Sequence, residues 1–305
     1  MTTAFITHPD CLKHEMGAHH PECPERLQAV YDAFDRSGLM SSLKAVEAPL
    51  ATREQLASAH APEHVNAIFA AAPKHDYAYL DPDTSMNPYS LSAACRAAGA
   101  VVKGVDMVMS RQADNAFCAI RPCGHHATHN RAMGFCIFNN VAVGAAYALQ
   151  MHQLTRVAIL DFDVHHGNGT EDIFYQDERV MLCSSFQHPY YPGTGADSGN
   201  EHIIPTPLPA RTGGTKFRAA IEATWFPALE RFQPELVIIS AGFDAHADDP
   251  LAYLELREDD YVWITERIRD IAERHASGRI VSALEGGYNL AALGRSAVAH
   301  VGALM

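Results

Sequence analysis

The stretch Val157-Ala158-Ile159-Leu160-Asp161-Phe162-Asp163-Val164-His165-His166-Gly167-Asn168-Gly169 carries two patterns at once. Its first four residues are apolar on both faces, as in a strand buried on both sides within a parallel sheet. From Asp161 onward, polar and apolar residues alternate. Residues two apart in a strand share a face, so Asp161, Asp163 and His165 point one way and Phe162 and Val164 the other. Two carboxylates and an imidazole on one buried face repel or stay unpaired unless a cation joins them. Burying an unpaired carboxylate is costly, and a divalent metal removes that cost.

Similar apolar runs recur at Ala4–Thr7, Phe117–Ile120, Val180–Ser184, Leu236–Ser240 and Ile280–Leu284. Between them lie amphipathic stretches that predict helices over Thr52–Ala71, Pro88–Arg111, Asn139–His152, Thr215–Phe232, Glu258–Ala276 and Leu290–Leu304. Glu258, Asp259 and Asp260 crowd one helix start and Gly278 follows its end, as capping requires. The alternation predicts an α/β fold: a central, mainly parallel sheet with helices on both faces. No repeat or low-complexity linker interrupts residues 1–305, which predicts a single catalytic domain. In such sheets the functional site lies outside the carboxyl ends of the strands.

Three other runs end in polar residues that a core would not select: Arg121–Ala127, Ala241–His246 and Glu285–Tyr288. Asp244 follows a strand and a glycine, so Asp163, His165 and Asp244 make a set of three protein ligands with an open position, the pattern of a catalytic metal. Asp248 and Asp249 compete for the third place and rank lower, as a solvated loop before Pro250. Mixed oxygen and nitrogen ligands suit zinc and leave iron(II) or cobalt open. Beside a metal, His125 and His126 are natural general base and acid, with Asp161 and Asn168 as partners that fix their tautomers. Tyr288 follows two glycines that let its phenol reach a site, where it can stabilise an oxyanion.

The composition, 48% apolar and 19% charged, is that of a globular chain. A net charge of -13 excludes direct nucleic-acid binding as the expected role and suits cationic substrates, besides favouring solubility. Seven cysteines without a C-x-x-C pair predict reduced thiols and a cytoplasmic protein. The N-terminus has no basic, apolar leader, and no stretch predicts a membrane span. Asn168-Gly169-Thr170 matches a glycosylation sequon only by accident in such a chain. A homo-oligomer is left open.

In order along the chain, His20-Pro21-Glu22-Cys23-Pro24-Glu25-Arg26-Leu27, Arg121–Ala127, Gly134-Phe135-Cys136, Asp161–Gly169, Pro192-Gly193-Thr194-Gly195, Ala241–Asp244 and Glu285–Leu290 resemble the zinc-dependent histone deacetylase family, which includes the acetylpolyamine amidohydrolases. The resemblance spans nearly the whole chain. It implies an arginase/deacetylase-like domain that hydrolyses N-acyl amines such as acetyl-lysine, with one zinc on Asp163, His165 and Asp244. It implies catalytic roles for His125, His126 and Tyr288, supported by Asp161 and Asn168. Phe135, Tyr191, Gly134 and Leu251 would line the acyl tunnel, with Arg26 in an inner channel. Potassium would bind carbonyls of Asp161, Asp163 and His165 with the Ser184 side chain, and a second ion carbonyls around Phe174, Asp177 and Val180.

The chain departs from the family pattern in places. Cys123 stands where proline is common, Phe186 where histidine is common, and Asn168 is the residue of the class II branch. Leu251 gives an aliphatic rim where polyamine-selective relatives can carry glutamate, which tilts the reading towards acyl-lysine and keeps acetylpolyamines as the alternative. From other classes, an arginase-like ureohydrolase would need a second metal, and a silent acyl-amine binder would lack His126 or Tyr288.

Overall fold

A computed structural model describes residues 1–305. The strands are β1 (Thr3–Thr7), β2 (Lys44–Glu47), β3 (Ala78–Asp81), β4 (Thr84–Met86), β5 (Asn115–Cys118), β6 (Val157–Asp161), β7 (Val180–Gln187), β8 (Ile203–Leu208), β9 (Leu236–Ala241) and β10 (Ile280–Leu284). The helices are α1 (Pro24–Arg36), α2 (Arg53–Leu56), α3 (Pro62–Ala71), α4 (Ser90–Met109), α5 (Asn140–Met151), α6 (Asn168–Phe174), α7 (Gly214–Phe232), α8 (Glu258–His275) and α9 (Leu290–Leu304). Eight strands form one sheet in the order β2-β1-β5-β10-β9-β6-β7-β8, every pair parallel. β3 and β4 form a separate antiparallel hairpin.

The strands alternate their apolar side chains between two cores, one on each side of the sheet. Val157 and Ile159 join a cluster of 43 buried residues with α4 and α5. Ala158, Leu160, Phe162 and Val164 join a cluster of 39 with α1, α7, α8 and α9. This is the α/β arrangement the apolar runs predict, and it brings the carboxyl ends of β5, β6, β9 and β10 to one edge.

Several details differ from the sequence-based expectation. The predicted helix Thr52–Ala71 is two helices, because Pro62 cannot continue an earlier turn and instead starts α3. The β3–β4 hairpin and two strands of the main sheet were not expected. β2 is an edge strand with little buried surface, and β8 carries Pro205 and Pro207, which an edge strand tolerates and an interior strand does not. β6 stops at Asp161, so Asp163 and His165 lie in the following loop. Their common direction survives because each carboxylate accepts the amide two residues on: Asp161 Oδ1 from Asp163 N–H at 3.1 Å, and Asp163 Oδ1 from His165 N–H at 2.9 Å.

Candidate metal and catalytic site

The loops after β6 and β9 bring Asp163, His165 and Asp244 together, with one ligand atom from each within 4.8 Å of the others. Asp244 Oδ1 accepts the Val164 N–H at 2.9 Å and Asp163 Oδ2 accepts the Gly286 N–H at 2.9 Å, which locks the two carboxylates in place. This close approach needs glycine: a Cβ on Gly242 would lie 2.1 Å from Asp163 Oδ2, and one on Gly286 2.1 Å from Asp244 Oδ2. Burial, and then the neighbouring Asp163, push the Asp244 carboxyl up to about 7. Burial disfavours a charged His165, but Asp163 and Asp244 outweigh it and raise its imidazole to about 10. Without a cation, His165 Nδ1 meets Asp163 Oδ1 at 3.0 Å.

Asp244 Oδ2 is buried with no hydrogen-bond donor positioned for it. It lies 3.2 Å from His165 Nδ1. An orphaned carboxylate oxygen beside a second carboxylate and an imidazole is what a divalent cation would complete, so the residues present fit a metal.

The tandem histidines follow β5 and sit above this cluster. His125 Nδ1 is 2.9 Å from Asp161 Oδ2, and His126 Nδ1 is 2.7 Å from Asn168 Oδ1, so each candidate partner named from the sequence meets one histidine. Burial works against charge on His125, but Asp161 and Asp163 outweigh it and hold the imidazole well above its ordinary range. Burial, with His125 and His165 nearby, holds His126 well below it. Asn168 can only accept at Oδ1, so Nδ1 of His126 carries the proton and Nε2 keeps its lone pair. The surroundings thus shift the two rings in opposite directions.

A cavity of about 240 Å³ opens onto the site. His126, His165 and Tyr288 line its inner part, and Gly134, Phe135, Tyr191 and Leu251 its walls and rim. Two lining residues were not singled out in the sequence, Asp83 and Tyr190. Asp83 Oδ1 accepts the Gly134 N–H at 3.2 Å, and the Thr84 hydroxyl accepts the Phe135 N–H at 2.9 Å. The Tyr190 hydroxyl donates to the Leu251 carbonyl. Burial pushes the Tyr288 phenol well above its usual range, so it stays protonated and able to donate.

Arg26 does not line this cavity. It is fully buried, its guanidinium spent on the carbonyls of Glu285 and Gly287 and on Glu22, and its centre lies 4.9 Å over the Tyr288 ring. The solvated reading of Asp249 is corrected. It is 7% exposed, not solvated. Its Oδ2 accepts the N–H groups of Tyr288 at 2.7 Å and Asn289 at 3.2 Å, and its Oδ1 that of Leu251 at 3.0 Å. Asp248 is the exposed one of the pair. Ser184 pairs with Asp161 across the β6–β7 ladder, and its hydroxyl meets His166 Nδ1 at 3.1 Å. The carbonyls of Phe174 and Asp177 accept the amides of Asp177 and Val180 respectively.

Comparison with known proteins finds likeness along nearly the whole chain. The pattern that defines the histone deacetylase domain matches residues 20–304. The chain belongs to the histone deacetylase family. The "histone deacetylase-like amidohydrolase" of Pseudomonas aeruginosa is 38% identical to it, over 94% of this chain and 82% of that protein. The "probable deacetylase" of Archaeoglobus fulgidus is 36% identical, over 95% and 82%. The crystal structure of the HDA15 HD domain superposes with a TM-score of 0.94 at 35% identity, covering 99% of this chain and 88% of that one.

Within the deacetylase family pattern, the departures have visible settings. Phe186 packs on the His166 ring at 4.6 Å between centroids, while His166 Nε2 pairs with Glu171 at 2.8 Å. Cys123 touches Cys136, their sulfurs 3.4 Å apart. Glu285, quoted in the sequence without a role, accepts the N–H groups of Gly124 at 2.7 Å and His125 at 3.2 Å and so fixes the histidine loop.

Proposed function

We propose that residues 1–305 form a single catalytic domain, a zinc-dependent deacetylase that hydrolyses N-acyl amines to free amine and carboxylate. The observation that carries this reading is the Asp163–His165–Asp244 cluster with its orphaned Asp244 oxygen, whose His165 lines one cavity together with His126 and Tyr288. Asp163, His165 and Asp244 would hold the zinc, which when bound supplies Lewis acidity towards an acyl carbonyl and acidifies water.

The chain's own groups do the rest. His126, neutral and oriented by Asn168, takes a proton from the attacking water through Nε2 and returns it to the leaving amine. His125, held charged by Asp161, stabilises the negative charge that develops. Tyr288 donates its hydroxyl proton as a hydrogen bond to the tetrahedral oxyanion. Phe135 and Tyr191 wall the acyl chain away from water. Potassium at Asp161, Asp163, His165 and Ser184, and a second ion near Phe174, Asp177 and Val180, would have structural roles.

Acetyl-lysine in peptides is the favoured substrate, because the rim residue Leu251 is aliphatic and Asp83 is the one carboxylate that lines the cavity. Acetylpolyamines are the second reading. No helix is long and apolar enough to cross a membrane. All seven cysteines are free, which supports a cytoplasmic location.

The deciding experiment measures acetate release from acetyl-lysine peptides, acetylputrescine, acetylspermidine and longer acyl-lysines, each with and without a chelator. Chelator-sensitive release from the lysine peptides is expected. Release from acetylpolyamines alone would select the second reading, and release indifferent to chelation would overturn the metal assignment.

A further inference from the structure

Cys123 and Cys136 belong to neither the proposed metal site nor the catalytic groups, yet they meet directly behind the tunnel wall. Both are buried, at 3% and 0% exposure, and they form a small cluster of their own with Ala127, against which Phe135 packs. Their sulfurs are 3.4 Å apart. A disulfide brings sulfurs to about 2.0 Å, so roughly 1.4 Å remains to be closed. We propose that Cys123 and Cys136 are an oxidation site, joined by peroxides into a disulfide that deforms the acyl tunnel.

The same pair, with Glu285, also has the spacing of a metal site. The hydrogen bonds argue against a metal there. The Glu285 carboxylate already accepts the Gly124 and His125 amides and lies 3.4 Å from the Ser240 hydroxyl. That leaves two sulfurs, short of the four ligands a structural zinc takes.

The chemistry balances with a peroxide alone. One thiol attacks hydrogen peroxide to give a sulfenic acid and water, and the second thiol displaces a second water to form the S–S bond. Two sulfurs are oxidised and the peroxide O–O bond is reduced. A dithiol reverses the step by exchange.

The location turns this local change into an effect on turnover, and that part rests on the proposed function. Cys136 closes a tight hairpin: Met133 and Cys136 exchange both backbone hydrogen bonds, at 3.1 and 3.0 Å. The two residues at its tip, Gly134 and Phe135, have φ of +58° and +68°. A positive φ is strained for a phenylalanine, so this hairpin has little freedom to absorb a pull. Gly134 lies flat on the His126 ring, where a Cβ would come within 2.5 Å of Cδ2. Cys123 is two residues from His125. Drawing the two sulfurs together therefore moves the Phe135 wall and the Gly134 backbone against the histidine that needs an undisturbed position. A displacement of about an ångström at such a site is worth up to a hundredfold in rate.

The test uses the full, zinc-loaded chain treated with excess hydrogen peroxide. The intact mass should fall by two hydrogens, and a peptide map should join Cys123 to Cys136. Acetate release should fall by about tenfold or more and return with dithiothreitol. Cys123→Ala and Cys136→Ala, each active when reduced, should lose both the cross-link and the reversible inhibition. Should one variant fail to fold, the other carries the comparison. A map showing both thiols free, or oxidised only to sulfinic acids, overturns the proposal, as does a cross-linked protein with undiminished turnover. A reduced protein that releases no acetate counts against the proposed function instead, while the peptide map still decides the cross-link.

Discussion

Tyr288 and Asp249 divide one task between them. In the proposed mechanism the phenol would supply a hydrogen bond that strengthens as the oxyanion forms, while the Asp249 carboxylate accepts the Tyr288 and Asn289 N–H groups and holds the backbone on which the phenol rides. Replacing Tyr288 by Phe should lower turnover by about 10² to 10³, the range for losing one such donor, with zinc affinity unchanged. Steady-state acetate release beside a zinc titration checks this, and equal turnover would remove Tyr288 from the mechanism. Asp249→Asn replaces one of two acceptor oxygens with a donor that faces backbone N–H groups. It should lower kcat roughly tenfold with a smaller change in KM, since it misplaces Tyr288 more than it alters the cavity wall. A rise in KM at constant kcat would instead make Asp249 a rim residue only.

Among the elements, α5 shows how a cap ties a helix to the site. Asn139, fully buried, accepts the Ala142 N–H at 3.0 Å and donates to the Ala127 carbonyl at 3.2 Å, just past the tandem histidines. Asn139→Ala removes the cap and leaves that carbonyl short of a partner, which should cost about 2 kcal/mol. Urea unfolding checks this, and an unchanged midpoint would show the cap to be dispensable. The interior strands were legible in the sequence because their side chains are buried on both faces and leave continuous apolar runs. β2 and β8 were not, because an exposed edge selects no apolar run and tolerates proline. The grouping of Asp163 and His165 was legible from the alternation Asp161, Asp163, His165, even though hydrogen-bonded turns rather than strand pleating sustain it. Asp83 and Asp249 were not, because their roles arise where loops distant in sequence meet: Asp249 holds Tyr288 39 residues away.

For the molecule as a whole, the crowded site couples stability to pH. The carboxyls of Asp244 and Glu285 both rise to about 7, pushed up first by burial, and His165 rises to about 10 because its two carboxylates outweigh burial. A raised folded value means stability that is full below the unfolded value and lost as pH climbs through the folded one. The share held by Asp244 and Glu285 is therefore lost between about pH 4 and about pH 7, and that of His165 between about pH 6.5 and about pH 10, so the chelated protein should lose thermal stability as pH rises from about 7 to about 10. Zinc must displace the proton on His165, so the gain in Tm on adding zinc should grow across the same interval. Thermal scans of loaded and chelated protein test both statements, and a zinc effect that shrinks with rising pH would contradict them.

The strand order has a consequence for how the chain comes into being. β10 is the last strand synthesised, yet it lies inside the sheet, bonded to β5 on one side and β9 on the other. Before it leaves the ribosome, β2, β1 and β5 can pair on their own, and so can β9, β6, β7 and β8. The first group carries the tandem histidines at its edge, and the second carries Asp163, His165 and Asp244, the proposed cation ligands. On that assignment a nascent chain would hold the means to capture an ion before it holds the means to use it, and insertion of one late strand would join the two.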